Sequence, residues 1–241
     1  MAESSTSALL EGMVLDLATD VVSALRSGDH VRAGSFPGPD DASGTLARAA
    51  VRVLGADTLL PGVLLPLPPD PARLALFEQA VAAHPPGADA APTVVWSHWA
   101  MTRTLRRLGL SGDGASGGAP SAQVPPEPDA GWLEGAGWQF LTHQLAVLAP
   151  LALPGEDCAV ARAARARPVD VARGFVRAVR RRDWQQAAGA GRWLTLLDGV
   201  PDTLGLDEGL AFVELMGGDN PRVALQLAAA RLMAVPAGVP R

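Results

Sequence analysis

Residues 169–197, VDVARGFVRAVRRRDWQQAAGAGRWLTLL, carry the pattern from which the fold is read. Ala172, Phe175, Val176 and Val179 recur at three- and four-residue spacing, while Arg173, Arg177, Arg180 and Arg181 fall at i, i+4, i+7 and i+8. That spacing predicts a helix over 169–181 with an apolar stripe toward a core and a basic face on the other side. Asp183 then sits in a short polar turn, and a second run covers 184–197. The stretch is a helical hairpin in sequence.

Looser copies of the arrangement lie on either side. VVSALRSGDHVRA ends at Ala33, FVRAVRRRDWQQA at Ala187 and FVELMGGDNPRVA at Ala224; each joins an apolar helix end, a polar turn containing Asp, and a new helix. Asp183 and Asp219 are 36 residues apart, near the period of helical-hairpin repeats. The third copy slips by one residue, so the similarity supports antiparallel helix pairs and names no family. Further helical runs are read at 43–54, 71–83, 93–108, 130–149, 156–166, 206–216 and 221–234. An N-terminal run, Leu10, Met13, Val14, Leu17, Val21 and Leu25, begins after possible caps at Ser4 to Thr6 and stops at Gly28. Asp70 before Pro71 has the form of a helix start. The segment 59–71, LLPGVLLPLPPDP, is broken by proline and reads as an extended connector. Period-two alternation is nearly absent, so the expected class is all-α, built of antiparallel helical hairpins.

The Gly- and Pro-rich run between these helices divides the chain into a helical region at 1–110, a flexible linker at 111–128 and a second helical region at 129–235. Within the linker, Gly112, Gly114 and Gly117 match G-x-G-x-x-G, and Gly114, Ser116 and Gly118 match G-x-S-x-G. Both fingerprints need a strand before and a helix after. Here a helix ending at Gly109 precedes, and four prolines between Ala119 and Asp129 follow. Neither match is read as functional.

Composition narrows the chemistry. The chain of 241 residues has no Lys, no Tyr, no Ile and a single Asn, against 44 Ala and 33 Leu, a bias of the kind a high-GC genome produces. Without Lys there is no Schiff base or Walker-type phosphate contact, and without Tyr no phenolic acid. Cys158 is the sole cysteine, which excludes an intrachain disulfide and a cysteine-based zinc site. Its neighbours Glu156 and Asp157 raise a thiol pKa, so a buried structural role is expected. The acidic start, MAESSTSALLEGMVLDL, lacks a signal-peptide pattern, and a cytoplasmic location is expected. Gly135 to Pro154 runs 20 residues without a charge, but Gln139, Thr142, His143 and Gln144 in one turn favour a core helix over a membrane span.

Charge is the sharpest feature. Between Val160 and Trp193 nine arginines stand against Asp170 and Asp183, a local balance of +7; since the chain is −5, the rest sums to −12. Arg173, Arg177, Arg180 and Arg181 are therefore the candidate partner- or anion-binding face. The bland alternative is a solvated face, or pairing with the chain's own Asp40, Asp41, Glu127, Asp129, Asp207 and Glu208. Nucleic acid is disfavoured by the pI of about 5.3 and by only Trp184 and Trp193 standing near the basic run.

A second candidate is a pocket between two Trp- and His-bearing helices, lined by Trp96, His98, Trp99, Trp138 and His143. Metal-ligand spacing such as H-x-x-x-H is missing, and no metal or cofactor is expected. No enzyme signature survives its context test. The reading is a non-catalytic binding or accessory protein that offers helix surfaces to an acidic protein partner or to a copy of itself as a homo-oligomer. A ligand- or cofactor-binding enzyme with the Trp/His pocket is one alternative, and anion or nucleic-acid binding through the arginine face is the other.

Overall fold

The helices start and stop where the local chemistry dictates. In the computed structural model, which describes residues 2–28, 42–109 and 126–234, Asp70 caps a helix by accepting from the Arg73 amide at 2.9 Å, with Pro71 at its first position. Asp183 does the same for the Gln186 amide at 3.1 Å. Gly28 and Gly109 take left-handed φ values of 65° and 68° and close their helices. Arg182 adopts φ 57° at the end of the basic helix, where the Asp183 amide turns back to the Ala178 carbonyl at 3.0 Å.

The first four helices are α1 (Ala2–Ser27), α2 (Ala42–Leu54), α3 (Leu60–Leu64) and α4 (Pro71–Ala83). Then come α5 (Pro92–Arg107), α6 (Gly131–Glu134), α7 (Trp138–Val147) and α8 (Ala159–Arg165). The last four are α9 (Pro168–Arg180), α10 (Trp184–Leu194), α11 (Leu206–Gly217) and α12 (Pro221–Ala234). Short 3-10 turns cover Gly55–Leu59, Ala149–Leu151 and Asp202–Leu204. Among the described residues there is no strand, and the protein is all-α.

Four readings need correction. The first helix begins at Ala2, ahead of the expected Ser4 to Thr6 start. The run at 130–149 is split into α6 and α7, because Gly135 and Gly137 lie where the two would join. The connector at 59–71 is extended only from Leu65; before it, Leu59, Leu60 and Pro61 are buried in a 3-10 turn and α3. The 156–166 run starts as a helix only at Ala159.

Helix α10 is the centre of the packing, touching α7, α9, α11 and α12. Its sequence AAGAG explains why: a Cβ on Gly189 would lie 2.8 Å from the Ala146 carbonyl oxygen, and one on Gly191 would lie 2.4 Å from Leu210. Only hydrogen at these positions lets the neighbouring helices approach so closely. Gly174 plays the same part between α9 and α7, where a Cβ would meet the Thr142 side chain at 2.1 Å. At the other side of the molecule α1 packs on α2 and α12.

One hydrophobic cluster runs through both chain segments, from Leu17, Val21 and Val51 to Trp193, Val213 and Leu225. The expected linker lies outside the described residues except for 126–128, as do both glycine fingerprints. An ionic centre joins the two segments inside the cluster. Arg192, fully buried, donates from Nη1 to Asp57 Oδ1 at 2.8 Å, Asp57 Oδ2 at 2.9 Å and Gln226 Oε1 at 2.8 Å. Its Nε donates to the Ala152 carbonyl at 3.2 Å, and Gln226 Nε2 donates to Asp57 Oδ2 at 2.7 Å. Buried charges persist in a core only when matched in this way.

Candidate functional site

Helix α9 gives its surface a mixed character. At about 100° per residue, Val169, Arg173, Val176, Arg177 and Arg180 fall within an arc of about 100°, while Val171, Phe175 and Ala178 point the opposite way. The structure follows this arithmetic: Val171, Phe175 and Ala178 are buried, whereas Val169 is 44% and Val176 37% exposed. The placement of Val176 in the core stripe is thus corrected; it stands among the arginines.

Facing α9 across this strip is the loop at 201–204. Together they form a groove of about 680 Å³. Arg173, Arg177, Arg180 and Arg181 line it with Val169, Val176, Leu204 and Trp138. Trp138, at the start of α7, holds the Arg177 guanidinium 5.7 Å from its ring centroid. All four expected arginines and one of the expected tryptophans therefore share a single groove. Pro201, Thr203 and Leu204 give no sequence signal, since they reach α9 only through the turn before α11.

The arginines of the basic run divide by their partners. Arg162 pairs with Glu127 at 3.3 Å and Asp157 at 3.5 Å, and Arg165 with Asp157 at 3.0 Å. Asp170 serves two guanidiniums, Arg167 at 2.6 Å and Arg173 at 3.4 Å. Arg177, Arg180 and Arg181 have no carboxylate partner among the described residues. Of the acids named as self-pairing candidates, Glu127 is taken by Arg162 and Asp129 by the Gly131 amide at 3.2 Å. Asp207 and Glu208 make no ion pair with the face among the described residues, and Asp40 and Asp41 lie outside them.

The residues of the expected Trp/His pocket are not brought together. Trp96 is buried and donates its indole N–H to the Asp129 carbonyl at 2.9 Å. Trp99 packs edge-on against it at 5.2 Å and lies under Arg103. Both are structural anchors for the chain entering α6. His98 faces elsewhere; burial, aided by the Arg52 charge, lowers its pKa below the usual 6.5. Its Nδ1 has no hydrogen-bond partner among the described residues. His143 is exposed on α7 and meets an amide oxygen, Gln186 Oε1, at 3.3 Å. Neither histidine has a carboxylate to orient it among the described residues.

His143 instead borders a smaller cavity of about 250 Å³, whose polar lining includes Asp57, Ser97, Gln186, Arg222 and Gln226. Asp57 and Gln226 already satisfy one another and Arg192 there. Cys158 is fully buried, and its thiol is pushed up to about 11, chiefly by burial and then by Glu156 and Glu127. Asp157, the other neighbour held responsible on sequence grounds, is turned to Arg162 and Arg165. No group of three His, Cys, Asp or Glu that would hold a metal occurs among the described residues. No helix among them is long and apolar enough to cross a membrane.

No protein family, curated protein or solved structure matches this chain.

Proposed function

We propose that the chain is a non-catalytic binding protein whose α9 groove takes an acidic, amphipathic helical segment of a protein. The observation that carries this reading is the coincidence, in one groove, of exposed Val169, Val176 and Leu204 with three guanidiniums that have no carboxylate partner among the described residues. An apolar strip alone accepts any greasy surface, and a basic strip alone any anion. A strip that is both matches a helix with apolar residues at i, i+3 and i+4 and carboxylates beside them. Nucleic acid is less well served, because Trp193 is buried and Trp184 stacks edge-on with Phe212. The single, buried Cys158 accords with a cytoplasmic setting.

The test uses a fluorescein-labelled synthetic helix with Leu and Phe on one stripe and Glu flanking it. Its anisotropy should rise on titration with the full chain, and its affinity should fall about tenfold or more in R177E/R181E and with added salt. Binding that is indifferent to both contradicts the reading. The cavity beside His143 favours a second reading, a small polar ligand, which calls for a bound molecule in native mass spectra of the freshly purified chain.

A further inference from the structure

The chain itself carries a helix of the required chemistry. At about 100° per residue, Glu208, Ala211, Phe212, Leu215 and Met216 of α11 fall within an arc of about 140°. That stripe is unpartnered among the described residues: Phe212 is 45%, Leu215 81% and Met216 49% exposed. Leu215 is the most exposed of the large apolar side chains described. Asp207 and Glu208 lie at the helix start, both exposed, and Asp219 follows its end. Glu214, on the rim of the stripe, is occupied by Arg231 and by Arg26. The stripe thus combines free carboxylates with apolar side chains, the complement of the α9 groove in both respects.

Dimensions agree as well. Helix α11 has 12 residues and α9 has 13, so each spans about 18–20 Å at about 1.5 Å per residue. The loop at 201–204 that walls the groove leads directly into α11, and Phe175 of α9 lies against Gly209. Groove and stripe are therefore neighbours on one side of the molecule. A two-fold axis between two copies then sets each stripe in the other's groove, the reciprocal contact on which closed dimers rest.

Resting on the reading of the α9 groove given above, we infer that its occupant is a second copy of this chain: α11 of each protomer seats Phe212, Leu215 and Met216 over Val169, Val176 and Leu204 of its partner, with Asp207 and Glu208 meeting Arg177, Arg180 and Arg181. The association is closed, so it stops at the dimer.

Sedimentation of the full chain over a wide concentration range tests this, with circular dichroism and a thermal melt confirming that each variant is folded. The wild-type chain should sediment as a concentration-dependent dimer of a 24.8 kDa protomer. R177E/R181E makes both groove and stripe acidic, and D207R/E208R makes both basic, so each alone should be monomeric or at least about tenfold weaker in association. An equimolar mixture of the two should recover the dimer, because each groove then meets a stripe of opposite sign. L215E, a change at a position exposed in the single chain, should also be monomeric. A wild-type monomer at every concentration, a mixture that stays monomeric, or an unaffected L215E overturns the inference. A monomer that still binds the synthetic acidic helix, and loses it in R177E/R181E, overturns self-association alone; failure of the peptide to bind as well removes the groove reading with it.

Discussion

Two arginine sites on consecutive helices show what one side chain does in opposite settings. Arg192 on α10 is sealed inside the core, its charge met by Asp57 and its hydrogen-bonding shared with Gln226 and the Ala152 carbonyl. Arg177, Arg180 and Arg181 on and just beyond α9 are exposed and lack carboxylate partners among the described residues. The first arrangement is internally complete and locks the segment before residue 110 to the segment after residue 125. The second is electrostatically incomplete, and what it lacks has to come from another molecule. Stability should therefore reside in the buried site and recognition in the open one.

The largest expected effect breaks the buried side of this contrast. R192M leaves Asp57 as an uncompensated charge in the core and should destabilise the fold by about 3–5 kcal/mol in chemical denaturation. Pairing it with D57L should recover most of that loss, since matched apolar residues replace a buried ion pair without leaving a charge. If R192M alone were as stable as the wild type, the network would not be the lock described.

Packing around α9 comes next. A methyl at Gly174 would fall 2.1 Å from Thr142, so G174A should cost about 1–3 kcal/mol as α7 and α9 are forced apart. T142A in the same chain should relieve part of it, which a double-mutant cycle would read directly.

A smaller effect concerns pH. Burial and the nearby Arg52 charge hold the His98 pKa below its usual 6.5, so the unfolded chain binds more protons there than the folded one. Stability from this group is complete above pH about 6.5 and is lost as pH falls from there toward the folded value. Thermal melts of the wild type and H98Q should diverge only in that acidic window, with H98Q the flatter of the two.

The smallest stability effect belongs to the open site. R177E/R181E should change unfolding free energy by no more than about 0.5 kcal/mol, because neither side chain has a carboxylate partner to lose. A large loss would move these arginines to the structural side of the comparison.

Much of this fold was legible in local chemistry. The pairs Asp70–Pro71 and Asp183–Trp184 and the stops at Gly28 and Gly109 fix helix ends through caps and left-handed turns that depend on a few adjacent residues. The break between α6 and α7 was harder, because Gly135 and Gly137 weaken a helix without forbidding it. The arginine face was visible in its spacing, but Val176 was misplaced because a count by threes and fours does not give its angle. The lock between Asp57 and Arg192 spans 135 residues and has no local signature; only the packed core reveals it. The groove's far wall at 201–204 was hidden for the same reason.

The most direct measurement is a nuclear magnetic resonance titration of the labelled chain with the synthetic acidic helix. The account predicts that the Trp138 indole, the Val169, Val176 and Leu204 methyls and the Arg177 and Arg181 side chains shift together and saturate together, while His143 and Ser97 stay still. Shifts centred on His143, Ser97 and Arg222 with the α9 groove silent would contradict it.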